Sequence, residues 1–295
     1  MGIARGMARL LLSEAQKSPF NGSILELGRQ LVYFNMDELI RWAAWHGVKL
    51  AGLAFVDKSH HPELAERGCM DDQTFFSALG FKTVHSLDVS DYEQSTHTLD
   101  LNLPVPEGLY GFYDVILDGG TLEHVFDQAA ALRNIHRLLK VGGRVIHGAP
   151  STNHVDHGFY MYSPTFFYEF YAANGYKIET SYIFQYTERH DTDPWKIYAY
   201  QPGALKKMRL KPFPGPLGIY FVARKANDAP DITIPYQGRY KRAWDRSDSG
   251  KPAKKKRPKS CLKHEPVFGY GWLLQTLRQV GRKTDEGMPP FLTNY

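Results

Sequence analysis

Residues 113–150 read YDVILDGGTLEHVFDQAAALRNIHRLLKVGGRVIHGAP, and this stretch decides the fold. Two apolar runs enclose a loop with an acid and a histidine, an amphipathic segment and a Gly-Gly pair. This order predicts a strand, a helix and a second strand, which form the βαβ unit of a parallel sheet. Ligands of open α/β sheets bind beyond the carboxyl ends of the strands. The loop LDGGTLEH (117–124) is therefore the predicted edge of a functional site.

The amphipathic segment predicts a helix from about residue 125 to residue 139, stopped by Gly142 and Gly143. Its apolar residues recur with the helical period, so they share one face that a sheet can cover. The members of that face are Ala131, Leu132, Ile135, Leu138 and Leu139.

Further elements are predicted before this unit. A short strand, SILELG, ends at Gly28, and a helix capped by Asn35 or Asp37 ends at Gly47. Residues 48–57 are apolar and suit either a strand or a buried loop. The remaining predictions are a capped helix over 71–81, a strand running into Asp88 and a strand over 95–102 that contains Asp100.

The second half of the chain changes character. Ser163 and Pro164 give a helix start, and Gly175 ends that helix. KIETSYIFQY (177–186) and GIYFVARK (218–225) predict a pair of strands, joined by a long link rich in proline and charge. From residue 227 onward polar residues dominate and predict a poorly ordered tail, apart from a short amphipathic helix over 269–283.

Bulk composition narrows the class of protein. The 295 residues allow one large domain or two small ones, and no apolar run reaches the length of about 18 residues that a membrane span needs. The N-terminus lacks the pattern of a secretory signal. The two cysteines, Cys69 and Cys261, exclude a disulfide framework, so a reducing cytoplasm is the expected location.

Positive charge is concentrated in residues 251–263 (KPAKKKRPKSCLK), which contain no acid, within a chain of net charge +5. Such a run can contact nucleic acid or an anionic surface. A solvated, flexible connector is the favoured interpretation.

The order of elements over about residues 20–225 resembles the class I S-adenosylmethionine-dependent methyltransferases, closest to their small-molecule branch. ILELG is similar to the first-strand motif, 113–146 to the fourth strand, helix and fifth strand, and GYKI with GIYFVARK to the terminal hairpin. The resemblance implies an α/β fold with a Rossmann-like, mostly parallel seven-stranded sheet, helices on both faces and a C-terminal antiparallel hairpin. It implies three regions: an N-terminal helical segment (1–19), a methyltransferase-like domain (20–225) with an insertion near 48–80, and a basic tail (226–295).

The same resemblance implies S-adenosyl-L-methionine as the cofactor. Its amino-acid portion would lie near Glu26 and Gly28, its ribose at Asp88 and its adenine at Asp100 and Leu101. Asp118, Gly119 and Gly120 would form the floor below the sulfonium. The sequence departs from the family at ELGRQ, which has one glycine where two or three are usual. The long separation of Gly28 from Asp88 leaves Asp57 as an alternative ribose acid, although an insertion between the two strands is favoured.

Candidate catalytic groups are histidines near the ends of the fourth and fifth strands: His124, His147, His154 and His157. A histidine with a pKa near neutrality suits a general base. His157 is the preferred base, and His124 is expected to be structural. A metal held by His154, Asp156 and His157, with His124 or Asp118 nearby, is the weaker alternative, and no metal is expected.

Aromatic residues surround the second candidate loop. Phe159, Tyr160 and Tyr162 are predicted substrate contacts, whereas the three phenylalanines of the following helix, Phe166, Phe167 and Phe170, are predicted to pack on the sheet. Trp195 and the charged loop 187–196 suit a lid or a dimer contact.

The function expected from these features is methyl transfer to oxygen or nitrogen of a small molecule, such as a sugar or a natural-product intermediate. A non-catalytic relative that serves as a binding or scaffold subunit is the alternative, because of the single-glycine turn. A nucleic-acid methyltransferase is less expected, since no Asn-Pro-Pro-Tyr motif occurs. A nicotinamide-dependent reductase is weaker still, because G-x-G-x-x-G is absent. The expected partners are a small-molecule substrate and a second copy in a homodimer, with no membrane.

Overall fold

Short apolar strands alternate with helices along most of the chain, and a computed structural model describes residues 2–189, 191–205, 215–248 and 291–295. The strands are β1 (Gly2–Ile3), β2 (Ser23–Leu27), β3 (Leu31–Val32), β4 (Thr83–Asp88), β5 (His97–Thr98), β6 (Tyr113–Asp118), β7 (Leu139–Thr152), β8 (Lys177–Gln185), β9 (Lys196–Ala199), β10 (Leu217–Arg224) and β11 (Phe291–Asn294). The helices are α1 (Arg5–Lys17), α2 (Met36–His46), α3 (Pro62–Glu66), α4 (Asp72–Ala78), α5 (Gln128–Leu138), α6 (Pro164–Ala173) and α7 (Gly238–Asp248).

Within the described residues, the main sheet has nine strands in the order β5-β4-β2-β6-β7-β10-β8-β9-β11. The first five run parallel, and β10 lies antiparallel between β7 and β8. The predicted α/β class, parallel core and C-terminal antiparallel pair are confirmed. The count of seven was too low, because β9 and β11 extend the β8 edge. β9 is four residues long within the link after β8, too short for its pattern to stand out.

Alternation along the strands divides the core into two layers. On β2, Ile24 faces one apolar cluster, whereas Leu25 and Leu27 face the other. Helices α1 and α4 cover the first face, through residues such as Leu10 and Phe75. Helices α5 and α6 cover the second, so helices pack on both faces as predicted.

Capping residues set the ends of α2 and the start of α4. Asn35 caps α2 with a complete capping box, and Gly47 ends that helix with a φ of 65°. Asp71 caps α4 by accepting the Thr74 backbone N–H. The predicted stop of α5 at Gly142 and Gly143 was wrong. The helix ends at Leu138, and the two glycines lie inside β7, which begins at Leu139 without a loop between the two elements.

Two predicted strands are shorter or absent. Residues 48–57, for which a strand or a buried loop was expected, form a largely exposed loop, and only His97 and Thr98 of the segment 95–102 join the sheet. β1 and β3 form a separate parallel pair, in which β3 follows the turn after β2.

The regions at both ends of the chain carry regular structure. α1 buries Leu10, Leu11 and Leu12 in the same cluster as Ile146 of β7, so it packs directly on the sheet. After residue 226, α7 and β11 are regular elements, which corrects the expectation of a tail without structure in those parts. The basic run 251–263, Cys261 and the predicted helix over 269–283 lie outside the described residues. The division into three regions stays a prediction. Within the described ranges, no helix combines the length and apolarity that a membrane crossing requires.

Candidate active site

A cleft of about 470 Å³ opens at the carboxyl ends of β2, β4 and β6. This volume lies in the range of roughly 300–1,000 Å³ that is typical of small-molecule sites. Six of the residues singled out in the sequence line it: Gly28, Asp88, Asp100, Leu101, Gly120 and His124. Residues from loops that are distant in sequence therefore converge on one cavity.

The pairing of β4 decides which acid follows the second strand. β4 lies parallel to β2, with Leu87 opposite Leu27, and it ends at Asp88. Asp57 instead lies in the loop before α3, where its backbone N–H donates to Thr74 Oγ1. Asp88 thus occupies the strand-end position next to β2, and the segment between β3 and β4, which contains α2, α3 and α4, separates it from Gly28.

Gly28 forms the turn at the end of β2. Its φ is +69°, a conformation that favours glycine, and its N–H donates to the Leu87 carbonyl at 2.8 Å. A Cβ at this position would lie 2.6 Å from Thr121 Oγ1, so the turn approaches the loop after β6 too closely for a side chain. One glycine suffices here because only this residue of the turn has both constraints.

Arg29 and Gln30 fill the places where the family has small residues. Arg29 makes a bidentate pair with the buried carboxylate of Asp72, with N–O distances of 3.1–3.2 Å, and donates to the Glu93 carbonyl. The Gln30 side chain is buried and donates from Nε2 to the carbonyls of Leu27 and Gly28. Through these contacts both residues brace the turn.

Glu26 lies beneath this turn rather than in the cleft. It is fully buried, and one carboxylate oxygen accepts the Gln30 backbone N–H at 3.1 Å. Burial, followed by the neighbouring Asp72 carboxylate, raises the pKa of Glu26 well above its usual value. Gly119 also lies behind the cleft, since a Cβ there would clash with Gln30 Oε1.

Asp118 is also fully buried and does not line the cleft. Its Oδ2 is 2.8 Å from His147 Nδ1, and its Oδ1 accepts the backbone N–H groups of Thr121 and Leu122. His147 in turn bonds Tyr171 through Nε2. Asp118 and His147 therefore hold the loop in place from within the core. Asp118 was expected at the floor of the cleft, and His147 was considered as a catalytic group. The structure places neither residue in such a position.

Glu123, His124 and His157 form a cluster at the rim of the cleft. Glu123 is 0% exposed, and within the described residues neither of its carboxylate oxygens has a hydrogen-bond partner. Burial and the Asp118 carboxylate raise the pKa of Glu123 to about 8.

His157 Nε2 lies 3.5 Å from Glu123 Oε1, and the rings of His124 and His157 are 5.2 Å apart. Burial lowers the pKa of both histidines, so both are neutral bases at pH 7. Sequence reasoning missed Glu123, although the adjacent His124 was chosen.

The predicted substrate residues separate in the structure. Phe159 is exposed and packs edge-on against Phe126, and Tyr160 donates its hydroxyl to the Phe126 carbonyl. Tyr162 is only 4% exposed and packs against Phe167. Tyr162 is thus a core residue, and a direct substrate contact by it is not what the structure shows. The predicted packing of the α6 phenylalanines agrees with the burial of Phe167 and Phe170 and the half-burial of Phe166.

Two further predicted positions have internal partners. His154 bonds the Tyr186 hydroxyl through Nε2 at 2.8 Å. Trp195 is buried and stacks on Phe184 with ring centroids 4.3 Å apart. The indole is therefore covered by the chain itself, and a lid or dimer contact formed by the loop 187–196 stays a prediction.

Comparison with known families gives one match. Residues 75–147, from α4 to β7, match a family model described as a methyltransferase domain. The matched segment includes Asp88, Asp118 and Glu123. In this segment the chain is similar to a methyltransferase domain, and the mostly parallel sheet agrees with the fold implied by the resemblance to the class I S-adenosylmethionine-dependent methyltransferases. The cofactor of this class is S-adenosylmethionine. None of the curated protein sequences matches the chain.

Several solved structures are similar at low identity. A putative S-adenosylmethionine-dependent methyltransferase from Listeria monocytogenes is 13% identical, covers 76% of this chain and 99% of its own, and has a TM-score of 0.40. A possible histamine N-methyltransferase from Thermotoga maritima is 17% identical, with 75% and 89% covered and a TM-score of 0.34. A 1,6-didemethyltoxoflavin-N1-methyltransferase from Burkholderia thailandensis is 13% identical, with 76% and 80% covered and a TM-score of 0.29. These similarities are too low to assign a substrate.

The cleft has features that suit an adenosyl cofactor. Leu87, Leu99 and Leu101 give it an apolar wall, and Asp88 supplies a carboxylate at the end of β4. The turn at Gly28 also lines the cleft, so its backbone borders the space for the ligand. The residues present therefore fit the cofactor that the class uses.

Proposed function

We propose that this protein transfers a methyl group from S-adenosylmethionine to oxygen or nitrogen of a small molecule, such as a sugar or a natural-product intermediate. The observation that supports this most is the convergence of Gly28, Asp88 and His124 on one cleft at the strand ends. When bound, the cofactor supplies an electrophilic methyl group, so the protein needs mainly to align the acceptor and to accept its proton.

The adenosine half of the cofactor belongs at the β4 side of the cleft. Asp88 accepts hydrogen bonds from the ribose hydroxyls, as a strand-end acid does in dinucleotide-binding folds. Asp100 and Leu101 contact the adenine, because they follow β5 and line the same cavity.

Arg29 provides the contact for the amino-acid end. Its guanidinium lines the cleft and is fixed by Asp72, so it can donate to the carboxylate of the cofactor without losing its ion pair. A charged donor of this kind compensates for the backbone contacts that a turn with more glycines would offer. Glu26 supports the arrangement from beneath through the Gln30 backbone.

His157 accepts the proton of the acceptor, with His124 as the adjacent imidazole. The His157 side chain is 36% exposed, so an acceptor can reach it, and its lowered pKa keeps it unprotonated at pH 7. A positioned base contributes about 10²–10⁴-fold to a rate. Phe159 lies on the same loop and is exposed for contact with the acceptor.

Cofactor binding is tested by calorimetry with S-adenosylhomocysteine on the full chain. Asp88→Asn is expected to weaken binding at least tenfold, because the ribose hydroxyls lose a charged acceptor. Asp57→Asn is the matched control and should bind like the wild type. No binding to the wild type at millimolar ligand would overturn the proposal and favour the non-catalytic relative. Equal affinities for the two variants would overturn the role of Asp88.

Methyl transfer is tested by release of S-adenosylhomocysteine with a panel of hydroxyl- and amine-bearing acceptors. With an accepted substrate, His157→Gln is expected to lower kcat at least a hundredfold and to leave cofactor affinity unchanged. His61→Gln removes an exposed histidine outside the cleft and serves as the control. An unchanged kcat for His157→Gln would exclude it as the base.

A further inference from the structure

Glu123, His124 and His157 form a group whose ligand atoms all lie within 4.8 Å of one another. Among the described residues it is the one set of three or more histidine, cysteine or acidic side chains with that property. We propose that these three residues bind a divalent transition-metal ion at the rim of the cleft, with zinc as the best match. Metal binding does not require the cofactor, so the inference stands apart from the proposed function. An imidazole that holds the ion cannot also accept a proton, so in the metal-bound protein His157 is a ligand and not the base.

The carboxylate of Glu123 is the first observation. It is fully buried, yet both of its oxygens lack a hydrogen-bond donor in the described part of the chain. Buried polar groups in proteins are almost always satisfied, and an exception requires an explanation such as an ion that is bound at the site. The neighbouring acid, Asp118, makes the contrast plain, since its oxygens are fully engaged.

The loop that carries His157 is held against Glu123, which is the second observation. The Glu123 carbonyl accepts the backbone N–H of Phe159 at 2.8 Å, and His157 N–H donates to the His154 carbonyl. At Gly158 a Cβ would lie 2.9 Å from the Glu123 carbonyl oxygen and 3.2 Å from His124 Nδ1. This glycine therefore lets the loop approach close enough to bring His157 to the carboxylate.

The ligand set indicates the kind of ion. Two imidazoles and one carboxylate are the ligands of catalytic zinc sites that keep a fourth position open. Imidazole suits zinc and similar transition metals, whereas magnesium prefers oxygen ligands and water. Because His124 also lines the cleft, an ion bound there would lie next to the space for the acceptor.

An open coordination position beside the cleft would take a water molecule or an oxygen of the acceptor. The acceptor class that this arrangement selects is therefore one with a hydroxyl or carboxylate oxygen able to bind a metal. This part of the inference rests on the proposed function.

The test is zinc binding to the full chain, measured by competition with a chromophoric chelator in the absence of cofactor. One equivalent is expected to bind to the wild type. Glu123→Gln and His157→Gln should each weaken affinity at least tenfold, whereas His61→Gln should not change it. Cobalt in place of zinc should give the visible absorption of a low-coordinate site in the wild type and not in Glu123→Gln.

The outcomes separate this inference from the proposed function. Zinc should raise the Tm of the wild type but not that of Glu123→Gln, and far-UV circular dichroism checks that the variants are folded. Failure of the wild type to bind zinc, or equal binding by all variants, overturns the metal site. Calorimetry with S-adenosylhomocysteine on the zinc-free protein then reports on the proposed function alone.

Discussion

Asp118 and Glu123 lie at the two ends of one loop, and both carboxylates are fully removed from solvent. At one end, Asp118 engages His147 and two backbone N–H groups. At the other, Glu123 has His157 at 3.5 Å and no hydrogen bond from the described residues. A buried carboxylate therefore has its hydrogen bonds at one end of the loop, and among the described residues it lacks them at the other.

This difference distinguishes a residue that stabilises the loop from a residue that is kept for function. A satisfied buried acid holds its neighbours in place, so its loss damages the fold. An unsatisfied one costs stability in the folded state, and proteins keep such groups mainly at functional sites. Variants at the two ends of the loop should consequently shift stability in opposite directions.

The largest effect is expected for Asp118→Ala. The change leaves His147 and two backbone N–H groups without their acceptor inside the core, which should cost roughly 3–5 kcal/mol of unfolding free energy. Urea denaturation followed by circular dichroism measures it. Asp114→Ala, at the half-exposed start of β6, provides the comparison and should cost less. Equal losses at the two positions would contradict the structural role of Asp118.

Glu123→Met should act in the opposite direction. Removing an unpartnered buried carboxyl is expected to stabilise the metal-free protein by about 1–3 kcal/mol, with loss of zinc binding. The control is Glu14→Met, because Glu14 is equally buried but accepts bonds from Lys17 and Thr180. That control should be destabilised. Destabilisation of both variants would remove the contrast between the two ends of the loop.

The pH dependence sharpens this second prediction. The pKa of Glu123 is raised to about 8 in the folded chain, from an ordinary value of 4.5, so folding takes up a proton between these values. Stability contributed by the protonated carboxyl is then present below about pH 4.5 and is lost as the pH rises through 8. The advantage of Glu123→Met, measured with a chelator present, should therefore be larger at pH 8 than at pH 5. A pH-independent difference would show that Glu123 ionises normally.

The turn that faces this loop gives a smaller effect. Gly28→Ala places a side chain at a φ of +69° and against Thr121, whereas Gly47→Ala meets a similar φ of 65° in open space. The left-handed conformation alone costs roughly 1–2 kcal/mol. Gly28→Ala should exceed Gly47→Ala in thermal denaturation and should alone weaken binding of S-adenosylhomocysteine. Identical behaviour of the two would show that the contact with Thr121 relaxes freely.

The smallest effect is expected for the histidine that faces Glu123. The His157 side chain is 36% exposed, so His157→Gln should change the unfolding free energy by less than about 0.5 kcal/mol. His147→Gln, which breaks bonds to Asp118 and Tyr171 in the core, should cost more. Thermal denaturation of the pair in metal-free buffer measures the difference. A large loss for His157→Gln would mean that the loop depends on it for folding.

Much of the fold was accessible from local patterns. The βαβ unit at 113–150, the capped helices α2 and α4 and the strand pair β8 and β10 each carry a strong short-range signal. The glycine pair at 142–143 led to a wrong prediction of the stop of α5, because Gly142 adopts a φ of 83° inside a strand and not at a helix end. β11 could not be foreseen, since its partner β9 is distant in sequence and short.

The site was less predictable than the fold. Strand-end positions identified Gly28, Asp88 and His124, because those positions follow from topology. Tyr162 is buried against Phe167 of α6, and Asp118 bonds His147, which bonds Tyr171 of the same helix. No local pattern reveals these contacts. Glu123 was missed since an acid beside a histidine gives no sign that its oxygens will lack donors. Arg29 gained its bracing role only through Asp72 of the distant helix α4, whereas Gln30 braces the turn through the carbonyls of Leu27 and Gly28.

The interior position of β10 has a consequence for the order in which the chain can fold. β10 is made after β7 and β8, yet it fills the gap between them, and its Tyr220 and Val222 join the cluster covered by α1. During synthesis, the edges of β7 and β8 that pair with β10 remain unpaired until residue 224 has been added to the chain. Contacts between such distant segments slow folding, and exposed edges invite association with other chains. We therefore expect early-terminated chains that end before β10 to aggregate, although they contain the whole cofactor cleft.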